Sequence, residues 1–331
     1  MNREELRMRK LIVCCCFFLF VAGLLCASGG KPSEEGIHLG VTIMTREHPY
    51  FQSHVIAWEN IEKREGVKIT LLSDEFDPAT QKKNIEDLIA LGVDGIALAI
   101  WEPGLGTSSL TSIIDEGVPA VGLHVKSSEY VAPMVVADNV KAGEIVGKQA
   151  AEYWSDKFPG VEPKIGIIYM AGCTACDDRV NGFLDGFKST YKGSYKKVAE
   201  VDGAGVRDKA LSACEDMLSA HPEINIIFGI NDDSALGAIS ALRNLGRGTA
   251  DKELVCGVDA SPSAAEELRN PKSAFKLDGG NSPVVMAETA FEVLMAQIAG
   301  KKVPELTLHE VSVVTMENLD EWLENNYPTK Y

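Results

Sequence analysis

Short apolar runs alternate with longer segments of helical periodicity along most of the chain. Eight runs rich in β-branched and other apolar residues form two sets, which begin near Ile37, Val67, Gly95 and Pro119 and near Lys164, Tyr195, Asn225 and Glu253. Within each set the starts lie 24 to 31 residues apart, which is the spacing of strand–helix–strand units. Runs 95–100 and 224–228 are almost continuously apolar, as expected of strands buried on both faces of a parallel sheet.

The segments between the runs have the periodicity of helices that pack on a sheet. In 82–91, Ile85, Leu88 and Ile89 lie mainly on one helical face, and Gly92 follows where a helix would end. The whole pattern therefore predicts an α/β fold.

The alternation predicts two doubly wound parallel-sheet lobes in series, the first over about 37–137 and the second over about 138–280. Beyond them the pattern predicts a helix over 283–299, a strand over 308–314 and a short helix over 319–325. A length of 331 residues is comfortable for two domains.

The first 28 residues are predicted to be a signal peptide, and 29–36 a flexible tether. A basic start is followed by an apolar run over 11–25 that is short for a membrane span. Cys26 is a candidate for lipid attachment, although the residues before it depart from the bacterial lipoprotein pattern. Ordinary cleavage near Ser28 is the alternative, so we expect export to the periplasm or cell envelope in either case.

The charge of the chain disfavours one class of partner. The formal net charge is −16, whereas a protein that binds nucleic acid usually presents a basic face. We therefore expect no nucleic-acid partner.

Cofactor and metal chemistry have weak support in the sequence. Cys173 and Cys176 form a CxxC pair, which we interpret as a local disulfide or free thiols, and the pairing of Cys173, Cys176, Cys214 and Cys256 stays open. No second CxxC or histidine cluster indicates zinc. The segment 104–109 has only part of a dinucleotide fingerprint. We expect no cofactor and no metal.

Candidate binding residues follow the ends of the predicted strands, where open α/β sheets bind ligands. They combine aromatic rings, imidazoles, a guanidinium, carboxylates and amides. These residues are His48, Tyr50, Phe51, Trp101, His124, Asp138, Arg179, Asn231, Asp259 and Asn281. Aromatic faces pack against the C–H faces of sugars, and planar polar groups read the directions of hydroxyls, so the set indicates a sugar, a polyol or a similar small polar ligand.

Each of these residues also has a structural interpretation. Tyr50 and Phe51 could be core aromatics, and Trp101 could pack at a rim. Asn231 and Asp259 could be helix caps, and His124 could be a satisfied histidine at a strand end. Arg179 could form a salt bridge at a helix end. Asp138 and Asn281 could instead act at hinges.

The chain resembles the type I periplasmic binding proteins, and most closely their ribose-binding-like branch. The segments that carry the resemblance are His48-Pro-Tyr-Phe51, Ala137-Asp-Asn139, Arg179-Val-Asn-Gly-Phe183, Ile230-Asn-Asp-Asp-Ser-Ala-Leu-Gly237 and Gly257-Val-Asp259. The resemblance implies a sugar held between two closing lobes. It gives Tyr50 and Phe51 as the aromatics that sandwich the sugar, and Arg179, Asn231 and Asp259 as the residues that bind its hydroxyls.

The resemblance also implies three crossover segments, near 137–138, 280–281 and 308–309. The lobes would then be 37–137 with 281–308, and 138–280 with 309–331. The chain departs from the family pattern after the fourth strand, where His124-Val125 stands in place of an Asp-Arg pair. Ribose itself is therefore doubtful as the ligand.

The function that we predict is that of a monomeric, non-enzymatic solute-binding protein that serves an ATP-binding-cassette (ABC) permease. A sensory receptor that contacts a chemoreceptor or kinase is the first alternative. A secreted CxxC redox protein and the core of a sugar-responsive repressor are less favoured. The leader argues against the repressor.

Overall fold

The computed structural model describes residues 36–327, in which the chain forms twelve strands and ten helices. The strands of the first lobe are β1 (His38–Ile43), β2 (Lys68–Ser73), β3 (Gly95–Ile100), β4 (Ala120–His124) and β5 (Met134–Ala137). Those of the second lobe are β6 (Lys164–Tyr169), β7 (Lys196–Asp202), β8 (Ile226–Gly229), β9 (Leu254–Asp259) and β10 (Phe275–Gly280). The chain then adds β11 (Leu306–His309) to the first sheet and β12 (Ser312–Val314) to the second.

Both sheets have six strands and the same kind of order. The first runs β11-β5-β4-β3-β1-β2 and is parallel throughout. The second runs β12-β10-β9-β8-β6-β7 and is parallel except for β12, which pairs antiparallel with β10. The carboxyl ends of the parallel strands therefore meet at one edge of each sheet.

Helices cover both faces of each sheet. Those of the first lobe are α1 (Pro49–Glu65), α2 (Pro78–Ala90), α3 (Pro103–Asp115) and α9 (Pro283–Ile298). Those of the second are α4 (Asn139–Lys157), α5 (Thr174–Thr190), α6 (Arg207–Ala220), α7 (Asp232–Asn244), α8 (Pro262–Arg269) and α10 (Leu319–Asn326). Alternate residues of the central strands enter separate apolar clusters on the two faces, as in β3, where Ile96 and Leu98 pack on one side and Ala97 on the other.

The predicted fold class of two α/β lobes is confirmed. The predicted starts of the eight strands lie within one residue of those observed. The predicted strand over 308–314 is instead two strands, because the chain leaves the first sheet after His309 and enters the second at Ser312. Strand β5 was not predicted, since it has four residues and no helix separates it from β4.

The chain changes sheet at three places in the described range. It leaves β5 for α4 at Asp138, leaves β10 for α9 at Asn281 and Ser282, and leaves β11 for β12 at Glu310 and Val311. Two of the candidate site residues, Asp138 and Asn281, thus lie in the connections themselves.

Within residues 36–327, no helix combines the length and apolar character needed to cross a lipid bilayer. The predicted signal peptide, the tether and Cys26 precede this range, except for Gly36 at its edge.

Candidate functional site

A buried polar group lies where the second sheet meets the connection into α9. Arg179, on the second turn of α5, donates from Nε to Asn139 Oδ1 (2.8 Å) and from Nη1 to Ile230 O (2.8 Å). The same Nη1 is 3.6 Å from Asp259 Oδ1, and Asn281 Nδ2 donates to that oxygen at 3.3 Å. The candidates Arg179, Asp259 and Asn281 are therefore brought together as one group.

The position of Asp259 depends on an uncommon backbone. Asp259 and Ala260 have φ values of 123° and 49°, which non-glycine residues rarely adopt. The hydroxyl of Tyr327 donates to Asp259 O at 2.8 Å, and the indole of Trp322 donates to Ala260 O at 2.9 Å. The C-terminal segment thus supports the strained turn that presents Asp259 to the cleft.

Burial dominates the electrostatics of Asp259. Desolvation raises the pKa of its carboxyl, while the nearby charges of Arg179 and His48 act in the opposite direction. The side chain of Arg179 is 12% exposed and that of Asp259 is 7% exposed. The ion pair is therefore shielded from solvent, where the attraction between the two charges is stronger than in water.

Aromatic rings from the first lobe form the facing wall. Tyr50 and Phe51, in the first turn of α1, are buried and make edge-to-face contacts with each other and with His124. The ring centroids are 5.3 Å apart for Tyr50–Phe51, 5.9 Å for Tyr50–His124 and 5.3 Å for Phe51–His124. The three rings form one wall beyond the ends of β1 and β4.

Tyr50 lies between this wall and the group of Arg179, Asp259 and Asn281. Its hydroxyl donates to Met286 Sδ at 3.7 Å and also lies near Asn281, and its pKa is raised, first by burial and then by the charge of Asp259. At the rim, His48 Nε2 lies 3.8 Å from Asp233 Oδ2 on the second lobe. The two lobes are therefore closed on each other in this structure.

Three of the candidates cap helices. His48 Nδ1 accepts from Tyr50 N (3.2 Å), Asp138 Oδ1 accepts from Lys141 N (3.0 Å) and Asn231 Oδ1 accepts from Ser234 N (2.9 Å). The amide of Asn231 also donates to Gly205 O at 3.0 Å.

The remaining candidate, Trp101, lies to one side of the cleft. It is partly buried, packs against the cluster that contains Tyr50 and Phe51, and meets Phe76 edge-on with a centroid distance of 5.9 Å. Trp101 therefore makes the packing contacts of a residue at the rim of the cleft.

Sequence reasoning missed three residues of this region: Asn139, His54 and His309. Asn139 accepts from Arg179. His54 lies one helical turn after Tyr50 and stacks on it, and His309 ends β11 in the third connection. The spacing of four from Tyr50 could have indicated His54, since such residues share a helical face.

The close packing of α4 on α5 positions Arg179. Gly143 and Gly147 on α4 meet Gly182 and Gly186 on α5, and a Cβ on any of the four would lie 2.0 to 2.2 Å from a backbone oxygen of the facing helix. Only glycine permits this approach. The two four-residue glycine spacings in the sequence were the available signal.

None of the four cysteines of the second lobe has an exposed free thiol. Cys173 and Cys176 form a disulfide at the start of α5. Cys214 and Cys256 are buried and free, and burial raises the pKa of the Cys214 thiol to about 12. Among residues 36–327, no three histidine, cysteine or acidic side chains are arranged to hold a metal ion.

Two α/β lobes joined by three connections, with polar and aromatic side chains meeting between them, define a solute-binding protein of the type I periplasmic class. A family model described as "Periplasmic binding protein domain" matches residues 39–302. The chain belongs to this family.

Similar proteins cover almost the whole described chain. The ribose import binding protein of Bacillus subtilis is 28% identical over 300 residues, which are 88% of this chain and 93% of the relative. A solved ABC transporter solute-binding protein of Actinobacillus succinogenes with bound D-allose has a TM-score of 0.78 at 23% identity, covering 86% of this chain and 99% of its own. Another, from Bacillus halodurans with bound myo-inositol, has a TM-score of 0.77 at 20% identity, covering 90% and 100%.

Proposed function

We propose that this protein binds a sugar or polyol between its two lobes outside the cytoplasm and delivers it to the permease of an ABC importer. One observation carries the proposal: the buried group of Arg179, Asp259 and Asn281 faces the aromatic wall that contains Tyr50. The relatives with this fold that bind D-allose and myo-inositol give the class of ligand.

The chemistry of the group suits a polyhydroxyl ligand. Arg179 offers donors in a planar fork, Asp259 offers acceptors, and Asn281 offers both. Burial makes each unmatched hydroxyl costly, about 1–3 kcal/mol, so an epimer with one misdirected hydroxyl is rejected. The rings of Tyr50 and Phe51 supply apolar surface for the C–H face of the ligand.

Closure of the lobes couples binding to delivery. A ligand that contacts both lobes stabilises the closed form by its differential affinity for that form. The lobes that we propose are 37–137 with 281–308, and 138–280 with 309–331. The protein would act as a monomer without catalysis, after export directed by residues 1–28. Lipid attachment at Cys26 would hold it at the membrane, whereas cleavage near Ser28 would leave it free in the periplasm.

A sensory receptor of the same fold would bind ligand in the same way. The curated relative of Bacillus subtilis is described as an import protein, which favours transport over a chemoreceptor or kinase as the partner.

The test is a calorimetric screen of the full exported chain against D-ribose, D-allose, L-arabinose, myo-inositol and glycerol. Binding of at least one compound is expected. Arg179→Ala should then weaken that binding at least about 100-fold, because it leaves the Asp259 carboxylate buried without its cation.

The matched control is Arg243→Ala. Arg243 pairs with Glu267 on the surface of the second lobe, and its side chain is 46% exposed. This variant should bind like the native protein. Failure of every compound to bind, or unchanged affinity in Arg179→Ala, contradicts the proposal.

A further inference from the structure

Three histidines converge behind Tyr50 at the end of the first sheet. His54 and His124 have ring centroids 5.2 Å apart, and His54 stacks on Tyr50 with a centroid distance of 6.4 Å. A positive charge on His309 would oppose protonation of both His54 and His124, which lowers their pKa values. The histidines come from α1, β4 and β11, so the fold and not local sequence assembles them.

Most of their ring nitrogens have no hydrogen-bond partner within the protein. Both nitrogens of His54 and the Nε2 atoms of His124 and His309 are buried and unpaired. His309 Nδ1 alone has a close acceptor, Glu310 O at 3.2 Å. Buried polar atoms are normally satisfied, so unpaired atoms at the wall of a binding cleft indicate groups that a ligand would meet.

The cluster is neutral in the closed form. Burial lowers the pKa of His54 to about 3 and that of His309 to about 4, and it also lowers the pKa of His124 well below its ordinary value. A second charge in the cluster would be opposed by the first, because each histidine faces the others.

The charged groups around the cluster do not favour its protonation overall. Arg179 opposes a proton on His309, whereas Asp138 favours one. Lys126 and Asp178, which carry opposite charges, line the same small cavity of about 20 Å³ between the lobes as His124. The cations and carboxylates that face the cluster thus largely offset each other.

We propose that His124 and His309, with His54 packed against them, face the ligand site as neutral imidazoles, so that the cleft takes an uncharged polyhydroxyl ligand and releases it in acid. The inference rests on the proposed function and narrows its ligand class. In the closed cleft Arg179 already has Asp259 as its counter-ion at 3.6 Å. A sugar acid or an amino sugar would add a buried charge without a partner.

The direction of the pH effect follows from opening of the lobes. Separation removes Arg179 from His309 and admits water to His124, which lines the gap with residues of α4 and α5. In the open form the pKa values of His124 and His309 then approach the ordinary value of about 6.5. Above about pH 6.5 protonation does not affect the equilibrium between the open and closed forms. Below that pH the open form takes up protons and the closed form does not, so the equilibrium shifts toward the open form.

The first experiment is an NMR titration of the histidine rings in the ligand-free protein, with the exposed His221 as the internal reference. His54 should remain neutral down to about pH 4, because its burial lies within the first lobe. Protonation of His54 near pH 6.5 would overturn the proposal whether or not any ligand is known.

The second experiment measures Kd for the best neutral compound, D-allose or myo-inositol for example, between pH 5 and 7.5. Each histidine that regains its ordinary pKa on opening weakens binding by about 30-fold at pH 5. His124→Gln and His309→Gln should each flatten this dependence, whereas His221→Gln should not. Calorimetry at pH 6 in buffers of different ionisation enthalpy should show proton release on binding.

Two results would overturn the proposal. One is a pH dependence that is absent, or equal in the native protein and in both cluster variants. The other is tight binding of D-glucuronate that strengthens in acid, because an anionic ligand would draw protons onto the histidines. Binding of no compound at pH 7.5 would instead contradict the proposed function.

Discussion

Two buried carboxyl groups make the stability of this fold depend on one bound proton. Asp232 and Asp278 are 1% and 0% exposed. Asp232 Oδ2 accepts from the backbone and hydroxyl of Ser261, whereas Asp232 Oδ1 and both Asp278 oxygens have no donor. The two carboxyl groups lie within hydrogen-bond reach, so a shared proton satisfies both.

Burial raises the pKa of Asp232 to about 7 and that of Asp278 well above its ordinary range. The charge of Asp259 raises both pKa values further, and the charge of Asp232 also raises that of Asp278. The folded protein therefore holds a proton that the unfolded chain releases above about pH 4. Its stability falls as the pH rises from about 4 toward the folded pKa values, by up to about 1.4 kcal/mol per pH unit.

Asp278→Asn should remove this dependence, since an amide supplies the missing donor without a proton. We expect the variant to gain stability relative to the native protein at pH 7.5, by about 1–3 kcal/mol, with a smaller gain at pH 5. Urea unfolding at both pH values measures the difference. Asp216→Asn, on the exposed face of α6, is the control. A gain that is equal at both pH values, or larger at pH 5, would refute the shared proton.

The packing of helix α4 on helix α5 determines where Arg179 lies in the site. The four glycines bring the two backbones together, and the Asn139–Arg179 hydrogen bond closes the end of the pair nearest the cleft. A change in the separation of the helices therefore moves the guanidinium.

Gly143→Ala should weaken both the fold and ligand binding. Its Cβ would lie 2.0 Å from Arg179 O and 2.7 Å from Phe183 N, so the helices must separate at a cost of about 1–3 kcal/mol or more. Thermal unfolding and calorimetry measure the two effects.

Gly104→Ala provides the comparison, because its nearest neighbours are the flexible side-chain oxygens of Glu102 at 3.3 and 3.4 Å. It should change stability by less than about 1 kcal/mol. Equal effects of the two substitutions would show that the approach of the helices is not what matters.

The sequence could predict the elements that depend on neighbouring residues. It could not predict features that depend on contacts between residues far apart in the sequence. The apolar runs and their spacing located eight strands, because parallel strands buried on both faces are nearly continuous in apolar residues. The break at Glu310 has no local signal, since only the separation of the two sheets reveals it.

The same limit applies to the site. Arg179 and Asp259 followed from the rule that ligands bind beyond strand ends, and the structure brings them within 3.6 Å. His54 and His309 are 255 positions apart in the sequence, so their proximity depends on the return of the chain to the first sheet. The shared proton of Asp232 and Asp278 likewise needs a tertiary contact that no spacing predicts.

The first lobe is incomplete without residues 283–309, which follow the second lobe in the chain. Helix α9 contributes Met286, Ala290 and Leu294 to the core against β3 and β4, and β11 extends the sheet beside β5. Burial of a large apolar side chain contributes about 1.5–3 kcal/mol, so the loss of α9 removes an amount comparable with the stability of a domain.

A chain that ends at Gly280 should therefore fail to unfold cooperatively in urea, as followed by circular dichroism. A chain that ends at Thr315 keeps both sheets whole and should retain a cooperative transition. If the shorter chain unfolded in a single steep transition with native-like helix content, the dependence of the first lobe on α9 would be refuted.

Strand β11 joins the first sheet although it follows the strands β6 to β10 of the second sheet in the chain. Residues 37–137 emerge before the second lobe during synthesis, but their sheet receives its last strand only after almost the entire second lobe has been made. The lobe whose strands come earlier in the chain is thus the one whose sheet is completed later. A polypeptide of this design cannot finish its first sheet until nearly all of it has left the ribosome.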